Sequence, residues 1–541
     1  MTAHPDSRPG PRWAALTALL STSVLLTACS SGSGSSSSND SGRATSGGTL
    51  TFAVGSDSGC VDPQQVASNE TIYSLRQIVD SLTDQDSKTG KIVPWLAKSW
   101  DVSSDATTFT FHLRSGVTFS DGTPLTAQAV KDNFDAVPKL GALGTLAQGY
   151  LSGLESTTVV DPLTVRVKFA QPNAQFLQAT STFSLGIESS ASAKKSPQQK
   201  CSEGIVGSGP FTLKQYVQNQ SITLAKRTKY AWGSSLWSKE GEAYLDKVVF
   251  KVVPEAGVRT GSLQSGQVDA ISSVAKANEA ALKGGQVNLL RRANPGNVFN
   301  LGLNNSRPVL KDVKVRQAIL FAIDRQQIVD AVFPTGTQPA TSILAHTTPD
   351  YTSLGSDLSF DAARAKSLLD AAGWKAGSDG IRTKNGTRLS LDVTWFANAA
   401  TNQPALELVQ QQLKDVGIEI VLKERQITQF ATTLQAGDFD AVWGNITRAD
   451  PDILRSQFST KLANFYHLPT SPLDSLLTQQ AATVDAAKRE QLVAQAQQLI
   501  VRNAYVVPVV ELQTQLGVAK KVHDLDFEAS SRIQLHDTWI G

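Results

Sequence analysis

The stretch "RLSLDVTWFANAATNQPALELVQQQLKDVGIEIVLKE" (388–424) changes hydrophobic period twice within 37 residues. Leu389, Leu391, Val393 and Trp395 alternate with polar residues, which predicts a strand with one apolar face. Leu406, Val409, Leu413 and Val416 then recur at helical spacing, and Gly417 stands where a helix C′ residue is expected. "IEIVLKE" (418–424) returns to period two. A strand, a helix and a strand in this order imply a right-handed crossover between parallel strands. Ligand space in such a unit lies at the carboxyl ends of the strands.

Moving outward, "FATTLQAGDFDAVWG" (430–444) predicts another short helix and strand, and "FDAARAKSLLDAAGW" (360–374) an amphipathic helix ending at Gly373. The second half is therefore α/β. The first half is richer in strands and turns: "TLTFAV" (49–54), "TVRVKF" (164–169) and "KVVFKVV" (247–253) alternate, and "FTFHL" (109–113) with "VTF" (117–119) reads as a hairpin across Arg114-Ser115-Gly116. No repeat of fixed period occurs.

The N-terminus is different. Arg8 and Arg12 precede the apolar run "WAALTALLSTSVLLTA" (13–28), the layout of a secretory signal. The run falls short of the about 20 residues a membrane span needs. "LTAC" (26–29) resembles a bacterial lipobox, which implies lipidation of Cys29; an ordinary signal cut after Ala28 is the alternative. Residues 30–48 hold nine Ser and five Gly, too polar to offset chain entropy by burial. They predict a flexible tether.

Composition sets further bounds. A chain of 541 residues with 40% hydrophobic and 18% charged content supports two or three domains with substantial cores. A net charge of +2 without a basic block argues against a nucleic-acid partner. Apart from Cys29, the cysteines are Cys60 and Cys201, an even number in an exported chain; a disulfide or two buried thiols both fit. The sequence contains no Gly-x-Ser-x-Gly elbow, no Walker loop and no Gly-x-Gly-x-x-Gly after a strand. Its six histidines lack metal-binding spacing. No catalytic residue, cofactor or metal is expected. A lipid-anchored hydrolase is disfavoured, and a binding protein is the simplest reading.

"IVPWLAKSWDVSSDATTFTFHLRSGVTFSDGTPLTAQAVKDNF" (92–134) closely resembles the signature of the family 5 extracellular solute-binding proteins of ABC importers, the peptide, oligopeptide and nickel type. Six further motifs follow in family order: "GIVGSGPFTL" (204–213), "VRTGSLQSGQVDA" (258–270), "LKDVKVRQAILFAIDRQQIV" (310–329), "AKSLLDAAGW" (365–374), "QQLKDVGIEI" (411–420) and "RADPDI" (448–453). The resemblance implies a periplasmic-binding-protein-like α/β fold of type II, with two lobes and an extra subdomain inserted in lobe I. Residues 1–28 are then the signal and 29–48 the anchored linker. Lobe I takes 49–82, 206–297 and 508–541, its insert 83–205, and lobe II 298–507. The implied partners are a peptide or other small solute, ABC permease subunits with their ATPase, and the outer face of the cell membrane through the lipid. A monomer is expected, and a ligand-presenting receptor is the alternative role.

The resemblance places cleft contacts on two lobe II loops. The first offers Trp395, Phe396, Asn398 and Asn402; the second offers Trp443, Asn445, Thr447, Arg448 and Asp450. Core packing is the competing role for both tryptophans. Peptide-binding relatives commonly carry an aspartate four residues before the loop proline, where it meets the ligand's α-ammonium; here that residue is Thr447. Arg448 instead presents a cation suited to carboxylate or phosphate, or else serves the structure.

Overall fold

The computed structural model describes residues 44–541 except 397, 398, 427, 428 and 463. Cys29, the signal segment and Asn398 lie outside the described residues.

The quoted stretch forms the predicted unit. Ser390–Phe396 and Glu419–Arg425 pair in parallel, from Ser390 opposite Glu419 to Phe396 opposite Arg425. The helix Asn402–Asp415 crosses between them and buries Leu406, Val409 and Leu413. Gly417 has φ +94, the left-handed conformation expected after a helix end. The strand Ala441–Thr447 adds in parallel on the other side of Ser390–Phe396. Gly296–Leu303 and Val506–Val510 complete a five-stranded sheet with antiparallel pairing. Helices cover this sheet and share one core with it.

A second sheet has seven strands, in the order Val287–Ala293, Gln513–Ala519, Ala270–Ile271, Thr49–Val54, Lys247–Val252, Ser221–Lys226, Phe211–Val217. Thr49–Val54 runs parallel to both of its neighbours, and the outer strands are antiparallel. A third, four-stranded sheet (Ala97–Val102, Thr108–Leu113, Thr164–Phe169, Leu154–Asp161) packs with the helix Ala127–Ala136 around a core of its own. Phe176 sits at its centre, with the rings of Phe109, Phe111, Phe134 and Phe169 between 4.7 and 6.0 Å away.

Two sequence expectations are corrected. Thr108–Leu113 does not form a hairpin with 117–119; its partners are Ala97–Val102 and Thr164–Phe169. Val117 and Phe119 are buried, but their backbone closes locally, with Phe119 N donating to Thr123 O (2.8 Å) and Leu125 N to Val117 O (2.9 Å). Alternation reports which side chains face inward and is silent on which strand supplies the ladder. The crossings between the two large sheets also move. They fall at 294–295 and 511–512, not at 297/298 and 507/508. Val506–Val510 is buried throughout and stays paired to Gly296–Leu303, so the sheet change waits until its ladder ends.

Gly296 makes the first crossing possible. It has φ +107, and a Cβ there would stand 2.4 Å from Ile446 O and 2.5 Å from Arg448 N. Cys60 and Cys201 are joined by a disulfide that spans 141 residues. Among the described residues, no helix is long and apolar enough to cross a membrane.

Candidate functional site

The carboxyl ends of Ser390–Phe396 and Ala441–Thr447 point the same way in the five-stranded sheet, the end at which crossover units of this type bind ligands. The predicted residues divide there into two groups.

The aromatic residues build the floor. Trp395 and Phe396 are buried in the lobe core. Trp443 is 1% exposed and stacks on Phe299 with ring centres 5.2 Å apart and planes 14° apart. Its indole N–H donates to Asn402 Oδ1 (3.1 Å), and Asn402 Nδ2 donates to Phe396 O (3.0 Å). Asn402 thus ties the first loop to the second from below. Trp443 and Asn402 hold the loops in place without presenting a face to solvent, because their polar atoms are used within this clasp.

The residues from 445 onward lie at the crossing between lobes. Asn445 is half-buried at an irregularity of the strand pairing, between the registers of Asn297 and Asn300. Thr447 is half-buried opposite Gly296. Arg448 N donates to Pro295 O (3.0 Å), which fixes the loop against the crossing chain. Asp450 is buried, and both its carboxylate oxygens are held by Arg489 at 2.6 and 3.0 Å. Asp450 Oδ1 also accepts from Asp452 N. Asp452 is held in turn by Arg455, twice at 2.7 Å, and by Gln480. Both aspartates of "RADPD" are therefore spent on bidentate pairs that shape the loop. Burial pushes the neighbouring Asp350 up to about 6, against the pull of Arg489 and with the help of Asp450.

Across from this loop stand residues that the sequence reading did not select. Tyr150 and Gln175 come from the segment that carries the four-stranded sheet, and Gln85 from the short strand Thr83–Gln85. Arg448 lies over the Tyr150 ring, 4.4 Å from its centre, with Nη1 3.4 Å from Gln175 Oε1. Gln85 Nε2 donates to Ala449 O (3.1 Å) and accepts at Oε1 from Gln178 (3.3 Å). These contacts join positions 273 and 364 residues apart. No local pattern could mark them.

His346 binds Glu511 through its ring and its backbone N–H, and this contact raises its pKa. His467 packs near Phe439. Among the described residues, no three or more His, Cys, Asp or Glu side chains are arranged to hold a metal ion.

Residues 91–464 match the family model "Bacterial extracellular solute-binding proteins, family 5 Middle". The chain belongs to this family. Family 5 proteins are the solute-binding components of ABC importers, act outside the cytoplasm and are not enzymes. The chain is 27% identical over 487 residues to the glutathione-binding protein GsiB of Salmonella paratyphi A, covering 85% of this chain and 88% of that one. It is 27% identical over 468 residues to the dipeptide-binding protein of Escherichia coli K12, covering 80% and 84%. The structure of NikA from Brucella suis in complex with Fe(III)-EDTA superposes with a TM-score of 0.79 at 24% identity, over 91% of this chain and 100% of that one. The chain therefore has the two-lobe type II periplasmic-binding-protein fold.

Proposed function

We propose that this family 5 protein is a lipid-anchored receptor that captures a peptide-like or other small solute between its lobes and delivers it to an ABC permease. One observation carries the reading: the lobe II loop around Arg448 meets Tyr150 and Gln175 of lobe I across a junction that, among the described residues, two strand crossings span. Two crossings form a hinge, and a solute that touches both sides favours the closed arrangement. Cys29 holds the protein at the outer face of the membrane, and the Ser/Gly segment, with a reach of roughly 24 Å, keeps it near the permease.

The test is native mass spectrometry of the mature body for co-purified solute, followed by small-angle scattering with and without it. Saturable binding with a fall in radius of gyration is expected. Solute at about 100 times its Kd should add about 2.7 kcal/mol of stability. Absence of both binding and closure would refute the reading. Loss of membrane association in Cys29→Ala, and loss of labelled-solute uptake in a deletion strain, test the anchor and the permease separately.

A further inference from the structure

Residues 345–348, "AHTT", bind both strand crossings at once. At the first crossing, Ala345 N donates to Gly296 O (2.9 Å), Gly296 N donates to Thr348 Oγ1 (2.8 Å) and Thr347 Oγ1 donates to Ala293 O (3.0 Å). These bonds lie on both sides of 294–295, so the last of them joins this loop of lobe II to the end of a strand in the seven-stranded sheet. At the second crossing, the carboxylate of Glu511 is 3% exposed and is held by His346 twice. It accepts from the His346 backbone N–H at Oε1 (3.0 Å) and from the ring at Nδ1. Glu511 N donates to Gln338 O (3.0 Å), and Asn294 N donates to Leu512 O (2.7 Å), which ties the two crossings to each other.

The His346 ring is half exposed and opens on a cavity of about 670 Å³ walled by both crossings. The other charged groups in its walls, among the described residues, are Glu511, Arg291 and Arg292. Both arginines are turned to other partners: Arg291 Nε donates to Gln515 Oε1 (3.2 Å) with Nη2 3.6 Å from Glu279, and Arg292 donates to Ser531 Oγ (3.1 Å) and Ser87 O (2.8 Å). The remaining polar walls, Gln338, Thr341, Thr347 and Gln513, are neutral. Glu511 alone touches the ring, and its hydrogen bond raises the His346 pKa above the ordinary 6.5 against burial and the repulsion of Arg292. Histidine is the side chain whose charge changes in the range of pH that a protein outside the cytoplasm meets.

We propose that residues 345–348 form a collar around the hinge whose grip is set by the proton on His346. With the proton on, the bond to Glu511 is between two charges, and such a bond is about twice as strong as a neutral one. The loop then stays seated on both crossings, Thr347 stays on Ala293, and the lobes turn less freely. With the proton off, the bond weakens and the hinge loosens. Because the folded pKa lies above the ordinary value, the grip is full below about 6.5 and is lost as pH rises through the raised value. This device goes beyond solute binding and is tested without a solute, so the two readings stand or fall separately.

The experiment uses the mature chain with nitroxide labels at Lys247→Cys and Lys423→Cys, both exposed positions, one on each large sheet. Double electron–electron resonance reads the spread of distances between the sheets from about pH 5 to about pH 9. Hydrogen exchange at the amides of Ala345, His346 and Gly296, corrected for its intrinsic pH dependence, reads the collar, and NMR titration reads the His346 ring. The ring should titrate above 6.5. Below its midpoint the distance spread should be narrower and the three amides about 5- to 10-fold more protected than above it, the ratio of a charged to a neutral hydrogen bond. His346→Gln, which can still donate to Glu511 but carries no charge, should keep the high-pH behaviour throughout. Glu511→Gln should do the same and lower the His346 midpoint. A midpoint at or below 6.5, or a distance spread and protection that do not change with pH, would overturn the proposal, and neither result needs a variant to fold. A pH response that persists in His346→Gln belongs to another group and would overturn it as well.

Discussion

Lys200→Met tests whether a buried charge cluster holds the insert to lobe I. The Lys200 side chain is 2% exposed. Its ammonium has three N–H donors, and three acceptors meet it: Asp62 Oδ2 at 2.9 Å, Glu188 Oε1 at 3.0 Å and Gln64 Oε1 at 2.9 Å. Gln64 and Glu188 are linked further through Asn133, and the Cys60–Cys201 bond lies beside the cluster in sequence. Methionine nearly preserves length and volume, so little cavity forms, but two buried carboxylates lose their counter-charge. Breaking such a cluster from one side costs about 3–5 kcal/mol. The cost has a pH signature. Burial pushes Glu188 up to about 7 against the pull of Lys200, with Asp62 adding to the rise. A carboxyl whose folded pKa is raised above its unfolded value contributes most below the unfolded value, and that contribution is lost as pH rises through 7. Removing Lys200 raises Glu188 further, so the deficit of the variant grows as pH rises above 7 and is smaller near pH 5, where Glu188 holds its proton in both proteins. Urea unfolding followed by circular dichroism and tryptophan fluorescence at both pH values measures this. The loss should be at least about 3 kcal/mol at pH 8 and smaller at pH 5 by up to about 1.4 kcal/mol, the value of one pKa unit. A loss below about 1 kcal/mol at pH 8, or the same loss at both pH values, would refute the argument.

Three other outcomes follow from packing and chain geometry. Replacing both Cys60 and Cys201 by Ser opens a loop of 141 residues, which the chain-entropy model values at about 5 kcal/mol; chemical denaturation should show a loss of about 2–5 kcal/mol. Gly296→Ala should cost about 2–5 kcal/mol, since its Cβ would collide with two backbone atoms at a positive φ. Gly122→Ala, also at positive φ but with open space around it, should cost only about 1 kcal/mol in the same assay. Trp443→Ala should cost about 3–5 kcal/mol, whereas Trp443→Phe, which keeps the ring on Phe299 and removes only the N–H to Asn402, should cost about 1–3 kcal/mol by thermal and urea unfolding.

The residues differ in how far their neighbours along the chain announce their role. The unit at 388–424 was legible because its periods, 2 then 3.6 then 2, are set by backbone geometry, which acts over one or two turns. The same local logic placed Leu406, Val409 and Leu413 on the buried helix face and Gly417 at its end. It also marked the loops that follow the two parallel strands. It could not tell that Trp443 would lie flat on Phe299, because that contact joins positions far apart in the chain. Nor could it tell that Asp450 would be taken by Arg489, 39 residues later. Residues 117–119 show the converse limit: alternation fits the burial of Val117 and Phe119, but pairing is decided by whichever strand arrives alongside.

The sequence by itself determined the α/β class, the membership of the family and the loops on which a site could stand, because each depends on residue order and local periodicity. Only the tertiary structure decided which charges on those loops are free. Asp450 and Arg448 stand two residues apart, yet one is neutralised by Arg489 and the other faces Tyr150 with no carboxylate within 4.0 Å among the described residues. The difference lies in what the rest of the chain brings to each, since electrostatic partners are chosen by distance in space and the chain sets that distance only when it folds.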